Sequence, residues 1–183
     1  MDCARGQLLI AGPALIDSTF WRTVVLVVEH GDEGAFGVVL NRPSETLAGE
    51  AVPEVEELVD TGDRLFIGGP VQPSAAIVLA ELEDASDAAL LAFGDVGVLA
   101  LGARLCSQDG LAGVRRGRAF VGHAGWGPGQ LDAECQRSDW ILEAASSDDA
   151  FTANPHDLWA AVLTRKGGSY ALLARMPPDP SVN

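Results

Sequence analysis

The stretch WRTVVLVVEHGDEGAFGVVLNRP, residues 21–43, constrains the fold more than any other. Thr23 to Glu29 is a β-branched and apolar run, Gly31 to Gly34 is turn chemistry, and Ala35 to Leu40 resumes the strand pattern. Two such arms around a glycine turn read as a β-hairpin. The first arm is apolar at successive positions rather than alternating, so it is expected to be buried on both faces. Pro43 closes the second arm, because proline has no N–H to give a ladder.

Shorter segments with the same punctuation lie around this hairpin. Strands are expected at Leu8–Ala11, Leu65–Ile67, Ala75–Leu82, Val96–Leu101 and Arg118–Ala124, with Trp140–Ala144 extended. Helices are expected at Pro53–Val59, at Leu105–Val114 in irregular form, at Gly129–Arg137 and at Pro155–Arg165. The acidic stretch ELEDASDA reads as a solvated loop, and residues 176–183 as a proline-rich surface end. There is no repeat, no low-complexity linker and no break in composition across the 183 residues. The expectation is one α+β domain spanning residues 1–183. Its apolar fraction is 48 % but its aromatic fraction only 6 %, so Ala, Val and Leu must fill most of the core.

Charge narrows the function classes. With 26 acidic and 12 basic side chains the formal net charge is −14, and Lys166 is the only lysine. Such a field repels phosphate backbones and anionic lipid, so direct nucleic-acid binding and membrane association are not expected. Arg115-Arg116-Gly117-Arg118 is the one concentration of cations. It can hold phosphate or carboxylate groups, or pair with the chain's own acids. The three cysteines, Cys3, Cys106 and Cys135, have no metal-binding spacing, and no signal peptide or long apolar segment is evident. A cytoplasmic protein with free thiols is expected.

FVGHAGWGPGQLDAE, residues 120–134, has the strand–glycine loop–helix context of a phosphate site but lacks its details. No lysine follows the glycines, and Gln130 stands where a dinucleotide fingerprint needs its last glycine. Asp132 and Glu134 already complement the helix start. A structural corner pinned by Trp126 is the better reading. His30, His123 and His156 lack the close pair typical of zinc sites, and no nucleophile elbow occurs, so no catalytic residue, metal or cofactor is assigned.

Four segments in order, GQLLIAGPALIDSTFWRTVVLVVEHGDEGAFGVVLNRP, FIGGPVQP, GHAGWGPGQLDAE and DWILEAASSDDAF, resemble the YqgE/AlgH family of bacterial proteins. The resemblance runs from residue 6 to about residue 163. It implies a small closed β-barrel within a bifurcated, mainly antiparallel sheet, surrounded by helices. It implies no catalytic residue and no cofactor. The family's regulatory association with alginate production is the source of its label as a transcriptional regulator. This sequence departs from the family at His123, often tyrosine in relatives, and at Leu158, where an arginine usually precedes the tryptophan.

A barrel gathers its strand ends at two rims, and strand–loop junctions are where scaffolds hold recognition groups. The turns Gly68-Gly69-Pro70 and Gly125–Gln130 are therefore expected to meet, with Asn41 and Arg42 nearby. Arg22 or Arg42 would supply positive charge, Gln130 an amide and Trp126 an apolar wall, with Gly68, Gly69 and Gly127 shaping the turns. The ligand would be a small anion or a protein segment. In the alternative, these groups satisfy one another and leave no pocket. Of three function classes, a non-enzymatic binding or regulatory protein fits best. A direct DNA-binding regulator is opposed by charge, and an enzyme with a strand-end polar site by the missing nucleophile, base and metal spacing.

Overall fold

The computed structural model describes residues 4–15, 19–101 and 113–177. Cys3 and Cys106 lie outside these residues, as do the proline-rich end beyond residue 177 and nearly all of the helix expected at Leu105–Val114. The strands are β1 (Gln7–Ala11), β2 (Val24–Gly31), β3 (Gly34–Val39), β4 (Pro43–Leu47), β5 (Arg64–Ile67), β6 (Val71–Leu82), β7 (Leu90–Phe93), β8 (Val96–Leu99), β9 (Val114–Trp126) and β10 (Trp140–Ala144). The helices are short: α1 (Ala48–Ala51), α2 (Gln130–Gln136), α3 (Ser147–Ala150), α4 (Leu158–Lys166) and α5 (Ser169–Leu173).

The strands form one large, mainly antiparallel sheet in the order β10-β1-β2-β3-β9-β6-β8-β7. The β4–β5 pair branches from it, with β5 running parallel to β9 at Phe66–Phe120 and Ile67–Val121. The long strand β9 is the hub. Its last residues pair with β3, and the rest pairs with β6.

The sheet is not closed, which corrects the closed barrel implied by the resemblance. Its path has two free ends, β10 and β7, and side chains rather than a further ladder occupy them. Arg5 donates from Nε to the Leu91 carbonyl of β7 at 3.0 Å. At the other end Lys166 Nζ donates to the Leu142 carbonyl of β10 at 2.9 Å. The β4 branch is held likewise, by Arg64 donating to the Glu45 carbonyl at 3.0 Å. Cationic side chains on edge carbonyls blunt the tendency of open edges to recruit further strands.

The β2–β3 hairpin forms where its sequence places it, and Val24 to Val28 are all buried. One face of β2 packs into a core of Leu26, Leu79, Phe120, Trp159, Val162 and Leu163. The other meets Leu9, Trp126, Leu131 and Trp140 beneath α2. A third cluster, with Val55, Leu58, Val78 and Ala119, lies behind β6 and β9. Smaller expectations are corrected. The helix expected at Pro53–Val59 is a 3-10 turn at Pro53–Val55, preceded by α1. Pro43 ends the hairpin arm but also begins β4. The 3-10 turn Pro155–Asp157 carries the proline that precedes α4.

Candidate functional site

The expected strand-end cluster assembles only in part. The turn at Gly68 and Gly69 packs against β9 at Gly122–Ala124, with Val71 reaching Gly125, but Asn41 and Arg42 lie apart from Trp126 and Gln130. In the β3–β9 ladder Ala35 pairs with Trp126 and Gly37 with Ala124, so the Trp126 turn lies at the start of β3. Asn41 and Arg42 follow its end, six residues and roughly 20 Å away at about 3.3 Å per residue. The two groups occupy opposite ends of the strand.

At one end, Asn41 bridges the hairpin. Its Oδ1 accepts from the Val24 amide at 2.9 Å and its Nδ2 donates to the Arg22 carbonyl at 2.9 Å. Arg22 adopts φ +54°. Its guanidinium lies 4.2 Å from the Trp159 ring centre and donates to the Met176 carbonyl at 2.9 Å. Burial pushes the Arg22 pKa down. Arg42 donates to the Trp21 carbonyl at 3.5 Å, and its own carbonyl accepts from Ile67. Gly68 and Gly69 do reach this end, through the Val39 amide donating to the Gly68 carbonyl at 2.9 Å. Gly69 has φ +151°, and a Cβ there would fall 2.2 Å from the His123 carbonyl carbon. Only glycine permits that approach.

At the other end, the glycine loop is a corner built around Glu134. Its Oε2 accepts from the indole N–H of Trp126 at 2.9 Å and of Trp140 at 2.8 Å. Its Oε1 accepts from Gln130 Nε2 at 2.9 Å, and Gln130 Oε1 accepts from the Gly127 amide at 3.1 Å. Every polar group expected to face a ligand here faces the protein. Gly129, at φ +69°, is where the turn needs glycine, whereas a Cβ on Gly127 would meet nothing closer than 3.9 Å.

The histidines do not converge. His30 pairs with Ala35 and His123 packs 4.8 Å from the ring of Phe36, the next residue along β3, so the two point to opposite faces. His30 is buried, its Nε2 is 3.6 Å from Asp132, and its Nδ1 has no partner. No His, Cys, Asp or Glu cluster fit for a metal ion occurs among the described residues. Leu158 is buried in the core.

The arginine cluster divides. Arg115 pairs with Asp95, and Arg116 with Glu81 at 2.6 Å and Asp148 at 3.4 Å. Arg118 takes part in none of the ion pairs found among the described residues. It is half-buried, and its carbonyl partners are Ala150 at 3.0 Å and Thr152 at 2.8 Å. Its guanidinium carbon lies 4.5 Å from the Phe66 ring centre. Burial pushes its pKa down, against the pull of Asp63. A half-buried cation compensated by neutral carbonyls and an aromatic face retains unanswered charge.

Arg118 lines a cleft of about 390 Å³ between the β4–β5 branch and the loop entering α4. Pro43, Phe66, Ala153 and Pro155 form apolar walls, and Asp63, Arg64, Thr152 and His156 supply the polar ones. Arg64 is engaged by Glu45 and the β4 backbone. Burial pushes the Asp63 carboxyl up, Asp60 adds to the rise, and Arg118 opposes it. Perturbed groups of opposite sign in one cleft mark a functional-site candidate. Arg118 was visible in the sequence as part of the cluster; Phe66, Asp63 and Thr152, distant in the chain, gave no signal.

Comparison with known proteins covers nearly the whole chain. Residues 8–171 match the family described as AlgH-like. A UPF0301 protein of Mycobacteroides abscessus is 40 % identical over 185 residues, covering 97 % of this chain and 87 % of that one. A UPF0301 protein of Thermobifida fusca is 39 % identical over 187 residues, covering 97 % and 94 %. A crystal structure of a Corynebacterium diphtheriae protein superposes with a TM-score of 0.85 at 28 % identity, covering 96 % and 94 %. The solution structure of the AlgH protein of Pseudomonas aeruginosa gives 0.69 at 26 % identity, covering 95 % and 94 %. With the ordered segments of the sequence, these matches establish that the chain belongs to the AlgH-like family, the YqgE/AlgH family of bacterial proteins.

Proposed function

We propose that this chain is a non-enzymatic, cytoplasmic binding protein whose ligand is a small anion held by Arg118. The carrying observation is that Arg118, alone of its cluster, is half-buried without a carboxylate partner and opens on a cleft. Its planar guanidinium is fixed by Phe66 and two carbonyls, so the remaining N–H groups are presented with little entropy left to lose. Any regulatory role would then act through ligand occupancy rather than DNA. That preference rests on the net charge of −14 and on the acids already paired with Arg115 and Arg116.

Isothermal titration with inorganic phosphate and with small mono- and dicarboxylates, at low ionic strength, tests the reading. Saturable binding is expected for at least one of them, lost in Arg118→Gln and weakened in Arg118→Lys, which keeps charge without the fork. Far-UV circular dichroism on each variant separates lost binding from lost folding. No saturable binding of any of these anions or of their amino-substituted forms by the wild type, or equal binding by a folded Arg118→Gln, overturns the proposal.

A further inference from the structure

The cleft has two poles, and the second says more about the ligand than the first. Asp63 lines the same space as Arg118 and, like it, takes part in none of the ion pairs found among the described residues. Against the larger effect of burial, the positive charge of Arg118 pulls the Asp63 pKa down and the Asp63 carboxylate pulls that of Arg118 up. Of the other charged lining groups, Arg64 is engaged by Glu45 and the β4 carbonyls and His156 is exposed, while the Asp63 carboxylate accepts a backbone hydrogen bond from Asp60. A purely anionic ligand at Arg118 would meet repulsion from Asp63, which weakens its capture. The arrangement becomes complementary if the ligand carries positive charge at its other end. Pro43, Ala153 and Pro155 offer walls for a short apolar spacer between the ends.

Resting on the Arg118 reading above, we infer that the ligand is a small zwitterion, its carboxylate or phosphate on Arg118 and its ammonium on Asp63. Electrostatic complementarity of this kind selects by rejection as well as attraction, because an anion lacking the ammonium leaves Asp63 opposed. Burial that disfavours the Asp63 carboxylate is relieved when an ammonium sits beside it.

The test uses a ruler of ω-amino acids from glycine to 6-aminohexanoate, each with its N-acetyl derivative, and O-phosphoethanolamine for the phosphate arm. Binding to wild type, Asp63→Asn and Arg118→Gln is measured by titration calorimetry at pH 7. At least one zwitterion should bind the wild type tenfold or more tighter than the matching anion without its ammonium. Asp63→Asn should erase that difference by weakening the zwitterion while leaving the N-acetyl compound as tight or tighter, which also shows the variant folded. Arg118→Gln should abolish both. If N-acetyl compounds bind as tightly as their parents and depend on Arg118, the zwitterion inference is wrong and the anion reading stands. If neither the zwitterions, their N-acetyl forms, phosphate nor simple carboxylates bind, both are wrong.

Discussion

Replacing Glu134 by alanine removes one carboxylate that answers three donors, and its cost can be worked from the geometry. Trp126 and Trp140 are 7 % and 4 % exposed, and both indole N–H groups end on Glu134 Oε2. The third donor, Gln130, is exposed and contributes little. Each buried indole left unanswered costs about 1–3 kcal/mol. With water reaching part of the gap beneath α2, the sum is about 3 kcal/mol. For a domain of this size that lowers Tm by roughly 6–12 °C. Glu134→Gln keeps a carbonyl that can accept both indoles and should cost only about 1 kcal/mol. Urea unfolding followed by tryptophan fluorescence gives both values. A double-mutant cycle with Trp140→Phe should show coupling, since deleting the indole N–H removes part of the reason for the carboxylate. If Glu134→Ala lies within 0.5 kcal/mol of wild type, where ordinary surface substitutions fall, the view of the glycine loop as a corner held by Glu134 is refuted.

His30→Phe removes a buried ring nitrogen that has no partner, so it should be neutral or stabilise by up to about 1 kcal/mol in urea unfolding; a loss above 2 kcal/mol would show that the ring nitrogens matter. Burial pushes the Asp149 carboxyl up, but hydrogen bonds from Arg165 and Ser146 outweigh it and hold the pKa below its ordinary 3.8. Its stabilising contribution is therefore full above that value and is lost as pH falls beneath it. Asp149→Ala should cost about 3 kcal/mol at pH 7 and give a shallower loss of stability below pH 4, read by thermal melts across pH. Gly129→Ala should cost about 1 kcal/mol because Gly129 has φ +69°, whereas Gly127→Ala should change Tm little; equal effects would contradict the loop geometry.

The hairpin was legible because its signal is local: a β-branched run, a glycine turn and a second run lie within one stretch of chain. Burial of both β2 faces was legible for the same reason, since an apolar run without alternation has no face to show water. Strand β7 and the early start of β6 were not, because LLAF is short and Pro73 interrupts the β6 pattern. Closure of the sheet depends on whether distant edges meet. Here Arg5 and Lys166, each far along the chain from its carbonyl partner, take the positions a further strand would need. The candidate site follows the same rule. Asn41, Trp126 and Gln130 stood out as polar or aromatic groups at glycine and proline stops, yet their partners lie within the protein. Arg118 looked no different from Arg115 and Arg116, and only the tertiary arrangement shows that those two form ion pairs while Arg118 takes part in none of those found among the described residues.

Backbone amide NMR mapping during a titration with a bound anion tests the central claim most directly. The account predicts saturable shifts confined to the cleft, at Asp63, Phe66, Arg118 and Thr152, with the Arg118 side-chain Nε moving with the same affinity. Shifts centred instead on Arg22 and Asn41, or on Trp126 and Gln130, would contradict it and return the site to the strand ends.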